Sequence, residues 1–149
     1  MNKIVKGMIA GFVATVVISL LMMMKSAMVL MPELDIIAML SNMMGSGRVM
    51  GWTAHFMIGT VIFGGLFVLL APNLPGGSLR LKGVFFGVGA WVLMMVAVMP
   101  MAGAGIFGME FGMDAPIMTL VLLVIYGTVL GGVYAEMRRR GHVHQHAPA

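Results

Sequence analysis

Ile4 to Met31 reads IVKGMIAGFVATVVISLLMMMKSAMVLM, and this stretch decides the fold class. Past Lys6 it is apolar almost without interruption, with a single charge, Lys25, in its outer half. About 20 consecutive apolar residues are enough to cross the hydrocarbon core of a bilayer as a helix. A helix is the natural choice there, because it satisfies its own backbone hydrogen bonds where water cannot. The segment shares Lys3 and Lys6 with the basic start of a secretion signal, but its apolar run is too long and lacks a small-x-small cleavage site. It reads as a retained anchor.

Composition agrees with a membrane protein. Of 149 residues, 60% are hydrophobic and only 9% charged, where soluble domains carry about 25% charged residues. The length suits one membrane domain, residues 1–140. The absence of cysteine excludes disulfides, thiolate metal sites and thiol nucleophiles. A net charge of +4 would point to nucleic acid in a soluble chain. Here the basic residues sit in short segments beside apolar spans, so no nucleic-acid partner is implied.

Working outward, PELDIIAMLSNMMGSG (Pro32 to Gly47) follows the first span, about residues 4–31. Proline followed by Glu33 and Asp35 is a favourable helix start, and the stretch is too short to span. It reads as a short interfacial helix ending at Gly45 or Gly47. Further spans are expected at about 51–70, 83–101 and 115–137. Trp52 anchors the second at the interface, Pro100 ends or kinks the third, and Asp114 with Pro116 opens the fourth. Arg138, Arg139 and Arg140 stop it, leaving residues 141–149 as a flexible tail with His142, His144 and His146. The expected fold is therefore an all-α polytopic four-helix bundle with a short interfacial helix after the first span.

Lys3, Lys6, Arg80, Lys82, Arg138, Arg139 and Arg140 fall on one side of these spans, and only Lys25 and Arg48 on the other. Basic loops stay inside, so both termini are expected in the cytoplasm. The halves also resemble each other. Lys6-Gly7, Gly11 and Ala14 recur as Lys82-Gly83, Gly87 and Ala90, and Gly59-Thr60-Val61 with Gly64-Gly65 recurs as Gly127-Thr128-Val129 with Gly131-Gly132. Either a two-helix hairpin is duplicated in parallel, or common residues coincide.

Chemistry-bearing residues are few. All 20 methionines except Met1, Met8 and Met137 lie toward the outer side. Thioethers are soft ligands that select Cu(I), but methionine is also adaptable apolar filler. The candidate soft-metal set is Met24, Met28, His55, Met94 and Met95. His55 is the only histidine in a span, and it shares a helix face with Gly51 and Gly59. Lys25 lies at similar depth, and Glu110 or Asp114 could approach both. Ionisable groups inside a membrane are functional candidates. These four could move protons, bind an anion, or hold helices together through a structural hydrogen bond at His55. Gly103 to Gly108 formally matches a dinucleotide fingerprint but lacks the strand that motif requires. No catalytic constellation and no resident cofactor are read from the chain, and no enzymatic activity is expected.

KGMIAGFVAT (Lys6 to Thr15), MPELD (Met31 to Asp35), GWTAHFMIGTV (Gly51 to Val61), LKGVFFGVGAW (Leu81 to Trp91), MPMAGAGIFG (Met99 to Gly108) and IYGTVLGGVY (Ile125 to Tyr134) resemble a family of small four-helix bacterial inner-membrane proteins catalogued only as a domain of unknown function. The resemblance implies four helices and a bacterial inner membrane, and it transfers no activity. Two functions remain open. One is an accessory or scaffold subunit of a membrane complex, or a homo-oligomer. The other is binding or transport of a soft metal ion or a lipophilic molecule at the Met-rich outer side, which requires a cavity lined by Lys25, His55 and several sulfurs.

Overall fold

The computed structural model describes residues 2–27, 36–101, 103, 105 and 114–146, with side chains left out at a few helix ends. Helix α1 spans Lys3–Ala27, α2 Ile36–Met43, α3 Arg48–Asn73, α4 Leu79–Met101 and α5 Asp114–His146. No strand occurs among the described residues. All but α2 are long and apolar enough to cross a membrane. Large apolar side chains such as Phe12, Leu20, Leu69, Leu93 and Ile117 stand on the outer surface, as lipid-facing residues do.

Without water between them, membrane helices associate by close packing rather than by the hydrophobic effect. Two glycine-lined seams provide that contact. In the first, α1 meets α3: a Cβ on Gly7 would stand 2.6 Å from the Gly64 carbonyl oxygen, and one on Gly64 equally close to that of Gly7. In the second, α4 meets α5, where Gly83 and Gly127 face each other's carbonyls and Gly131 faces that of Leu79. Both hairpins are thus closed by the glycines that recur between the halves. The recurrence slips by one residue, since Gly59 and Gly64 lie five apart where Gly127 and Gly131 lie four apart. Ile58–Phe63 forms a wide, π-helical turn that absorbs the additional residue and keeps both glycines on the α1 face.

Aromatic side chains join the hairpins. Phe63 and Phe67 of α3 meet Phe86 of α4 at ring separations of 5.9 and 5.6 Å, and meet Tyr126 and Tyr134 of α5 at 6.0 and 5.7 Å. All four pairs are edge-on, a geometry worth about 0.5–1.5 kcal/mol per pair beyond burial. Ala10, Ala14, Phe67 and Leu130 are fully enclosed in this core.

Basic residues gather at one end of the bundle. The Lys82 ammonium donates to the Ala71 carbonyl at 2.8 Å, at the end of α3. Lys6 reaches Gly141, and Arg80 lies along Gly132. At the opposite end, α2 folds back on the start of α3. Its Ile37 is buried, and Gly51 has no room for a side chain beside Ser41 and the Ile37 carbonyl. The helix ends at Gly45, with φ of 63°, while Gly45 and Ser46 donate to the Asn42 and Ser41 carbonyls. That is the Schellman geometry, in which glycine avoids the Cβ penalty of a left-handed turn. Its expected start at Pro32 lies outside the described residues.

One boundary differs from expectation. Helix α5 does not stop at Arg138 to Arg140 but continues through His146, so residues 141–146 of the expected flexible tail are helical. Arginine is a good helix former, and Glu136 accepts from Arg139 and Arg140 one turn on, at 2.7 and 2.9 Å. Helix α4 runs to Met101, the expected end of the third span and one residue past Pro100, and a second wide turn, Met94–Val98, precedes that proline. Proline has no N–H to donate to the preceding turn, and wide turns commonly form where the regular ladder is interrupted.

Candidate ligand-binding cavity

A cavity of about 310 Å³ lies between the spanning helices, on the side of the bundle nearer α2. Helix α1 supplies Thr15, Ile18, Met22 and Lys25 to one wall, at the four-residue and three-residue steps that keep side chains on one face. Met39 and Leu40 of α2 form its roof. Opposite, α3 contributes His55, Ile58, Gly59 and Phe63, so the wide turn forms part of the wall. Ala90 and Met94 of α4 and Thr119 and Tyr126 of α5 complete it.

Most of the polar groups around this space are already engaged. Thr15 donates to the Gly11 carbonyl at 2.7 Å, the local bond that lets a hydroxyl sit inside a helical bundle. Tyr126 donates to the Gly59 carbonyl at 2.5 Å, across from α5 into the wide turn of α3. His55 is different. Its Nε2 is buried with no hydrogen-bond partner among the described residues, while its ring stands edge-on to Trp52 and Phe56 at 5.9 and 5.8 Å. Among the described residues, the structural hydrogen bond expected for His55 is not made at Nε2. A buried polar atom without a partner is costly, and this one belongs to a residue on a cavity wall.

Among the described residues, Thr60 Oγ1 is also buried without a partner. Its counterpart in the second half, Thr128, donates to the Val124 carbonyl one turn back, as Thr53 does to Val49. Thr60 lies in the wide turn, which displaces the carbonyl that a regular helix would offer it.

The structure brings only part of the candidate set together. Lys25, His55 and Met94 share the cavity wall. Met24 does not join them: one position from Lys25 on the helix, it turns to the outer surface and is 59% exposed. Met95 also departs, buried with Met99 in a separate cluster against Met39, Trp91 and Met118. Met28, Glu110 and the side chain of Asp114 lie outside what is described, as do the side chains of His142, His144 and His146. Met22 and Met39 line the cavity without having been in that set. Met22 is one helical turn before Lys25 and was legible from spacing, but Met39 depends on how α2 folds back. Among the described residues, no three of His, Asp and Glu converge on a metal-sized point.

These features define a polytopic α-helical membrane protein, with four spanning helices around a partly open cavity. The chain belongs to the family described as "Family of unknown function (DUF6789)", whose model matches residues 1–145. No curated protein and no solved structure matches it.

Proposed function

We propose that this protein is a non-enzymatic binding protein of the bacterial inner membrane that holds one lipophilic molecule between its four helices, with both termini in the cytoplasm. The cavity beside His55 carries this reading. Its wall is almost wholly apolar, its few polar groups converge from different helices, and it reaches the lower end of the usual size range for ligand sites, roughly 300–1,000 Å³. Met22, Met39 and Met94 around it are pliable and can conform to an organic guest.

The same three sulfurs and His55 also support a soft-metal reading. Size favours the organic guest. A metal ion needs its ligands drawn to about 2.3 Å, whereas this cavity has a volume of about 310 Å³. The accessory-subunit expectation requires instead that Lys25 and His55 meet protein only.

Native mass spectrometry of gently extracted protein tests the choice. One organic molecule retained per chain, and lost in Ala90→Leu, which fills the cavity, is the expected result. Retained copper, or a hetero-complex with no bound molecule, would overturn it.

A further inference from the structure

The way into the cavity identifies the class of guest. Three sides of the bundle are closed by helix on helix. Helix α1 packs along α3 and α5, and α5 packs along α4, whereas the backbones of α3 and α4 hardly approach each other. Side chains close that fourth side toward the basic end, where Phe63 and Phe67 meet Phe86. Toward α2 the seam opens. Among the described residues that line the cavity, Ile62 of α3 and Leu93 of α4 are more than half exposed, at 51% and 57%, and the others are buried or half-buried. Each of the two stands on the lipid-facing surface and on the cavity wall at once. The cavity therefore continues sideways to the surface between them.

The opening lies at bilayer depth. Ile62 is near the middle of α3, and Leu93 is two turns beyond Phe86 on α4, so both fall inside spans. At the α2 end Met39 and Leu40 roof the space. What adjoins an opening at this depth is hydrocarbon. Water is a poor occupant, because it needs several polar partners and the wall is almost wholly apolar. Wide turns border both edges of the opening, Ile58–Phe63 on α3 and Met94–Val98 on α4, and such turns recur at functional sites.

We propose that the guest is a membrane lipid, one acyl chain of which enters sideways between Ile62 and Leu93 while its head group stays at the membrane surface. This rests on the lipophilic-guest reading above and adds the class of guest and its route. Entry at hydrocarbon depth brings in a chain and leaves the head outside. A cavity of about 310 Å³ is small for a ligand site, against a usual range of roughly 300–1,000 Å³, and it suits part of one chain rather than a whole lipid.

The test is photolabelling of the full chain in vesicles of phosphatidylethanolamine and phosphatidylglycerol. The probe is phosphatidylcholine carrying a diazirine at the middle of one acyl chain, and labelled residues are mapped by mass spectrometry. Lipid in the surrounding bilayer reaches exposed residues such as Leu20 and Ile117, whereas Ile18, Met22 and Tyr126 are buried and line the cavity. The expected result is label on both sets. Ile62→Trp with Leu93→Trp narrows the opening with side chains that remain in lipid. A chain forced past the added rings meets an overpacking penalty, so label on the buried set should fall about tenfold or more. Label on Leu20 and Ile117 should not change, which also reports that the variant is folded and inserted. Leu20→Trp, away from the opening, should leave both sets as they are.

Label confined to exposed residues would overturn the lipid-chain assignment. An organic molecule still retained in native mass spectrometry, and lost in Ala90→Leu, would then keep the lipophilic-guest reading with a guest of another class. Label on the buried set that persists in the double variant would overturn the sideways route. Label confined to exposed residues, with no molecule retained from the native membrane, would remove both readings. Comparing buried with exposed positions on the unaltered chain tests the inference even if the double variant does not fold.

Discussion

Gly64→Ala and Gly65→Ala add the same methyl group to neighbouring positions of one helix, and the glycine-seam account separates them. At Gly64 the new Cβ would stand 2.6 Å from the Gly7 carbonyl oxygen and 3.1 Å from the Gly7 carbonyl carbon and Met8 Cα. All three are backbone atoms, so no side chain can turn aside. Reaching an ordinary contact near 3.4 Å requires α1 to retreat by about 0.8 Å. A gap of about 0.5–1 Å forfeits a quarter to a half of each contact's attraction along the seam. Overpacking of this kind costs about 1–3 kcal/mol. At Gly65 nothing lies within 4 Å of the added atom. Alanine favours a helix over glycine by about 1 kcal/mol at either position, so that gain cancels in the comparison. Gly64→Ala should be less stable than Gly65→Ala by about 2 kcal/mol. In a chain of this size that is roughly 4–8 °C in melting temperature. The assay is SDS-induced unfolding in mixed micelles, followed by circular dichroism, with thermal melts in parallel. Because Gly7 and Gly64 share one contact, Gly7→Ala combined with Gly64→Ala should cost less than the two added together. Equal stability of Gly64→Ala and Gly65→Ala would refute the seam as the packing surface between α1 and α3.

Three other outcomes follow from the core and its turns. Phe67→Ala removes a fully buried ring that meets Phe86 and Tyr134 and should cost about 3–5 kcal/mol. Phe12→Ala, on a residue 50% exposed, should cost much less in the same SDS titration, and equal losses would contradict the placement of the core. Tyr126→Phe deletes the bond to the Gly59 carbonyl and should cost about 1 kcal/mol. An unchanged unfolding midpoint would show that the wide turn of α3 does not rely on it. Gly45→Ala places a Cβ at φ of 63° and should cost about 1 kcal/mol, with hydrogen exchange rising first in α2. Protection lost elsewhere instead would show that α2 is not ended by that turn.

How much was legible in the chain can be argued from particular residues. The four spans were plain because crossing a bilayer demands long apolar helices whatever their neighbours do, and local composition records that demand. Gly7, Gly11, Gly59, Gly64, Gly83, Gly127 and Gly131 were visible as a recurrence, and small residues in membrane helices mark close approach. The inward aim of His55 could be read from its helical spacing to Gly51 and Gly59 on the same face. Helix α2 announced its end through Gly45, since a left-handed turn needs glycine there.

Other features depended on contacts that no local pattern encodes. The wide turn at Ile58–Phe63 shows in the sequence only as a one-residue slip between the two halves, and it acquires meaning when α1 requires both Gly59 and Gly64 on its own side. Met24 and Met95 resembled Met22 and Met94 as residue types, yet one turned to the surface and the other into a separate core. Adjacent helical positions point about a quarter-turn apart, and only the placement of neighbouring helices decides which direction is cavity. Whether His55 Nε2 finds a partner is likewise a question of distance across helices, and among the described residues that buried atom finds none. Apolar length and small-residue spacing determined a four-span membrane bundle from the chain alone. The cavity and the residues that line it arose only when two glycine-packed hairpins were joined by aromatic side chains, because the space left between helices is set by how all of them pack at once.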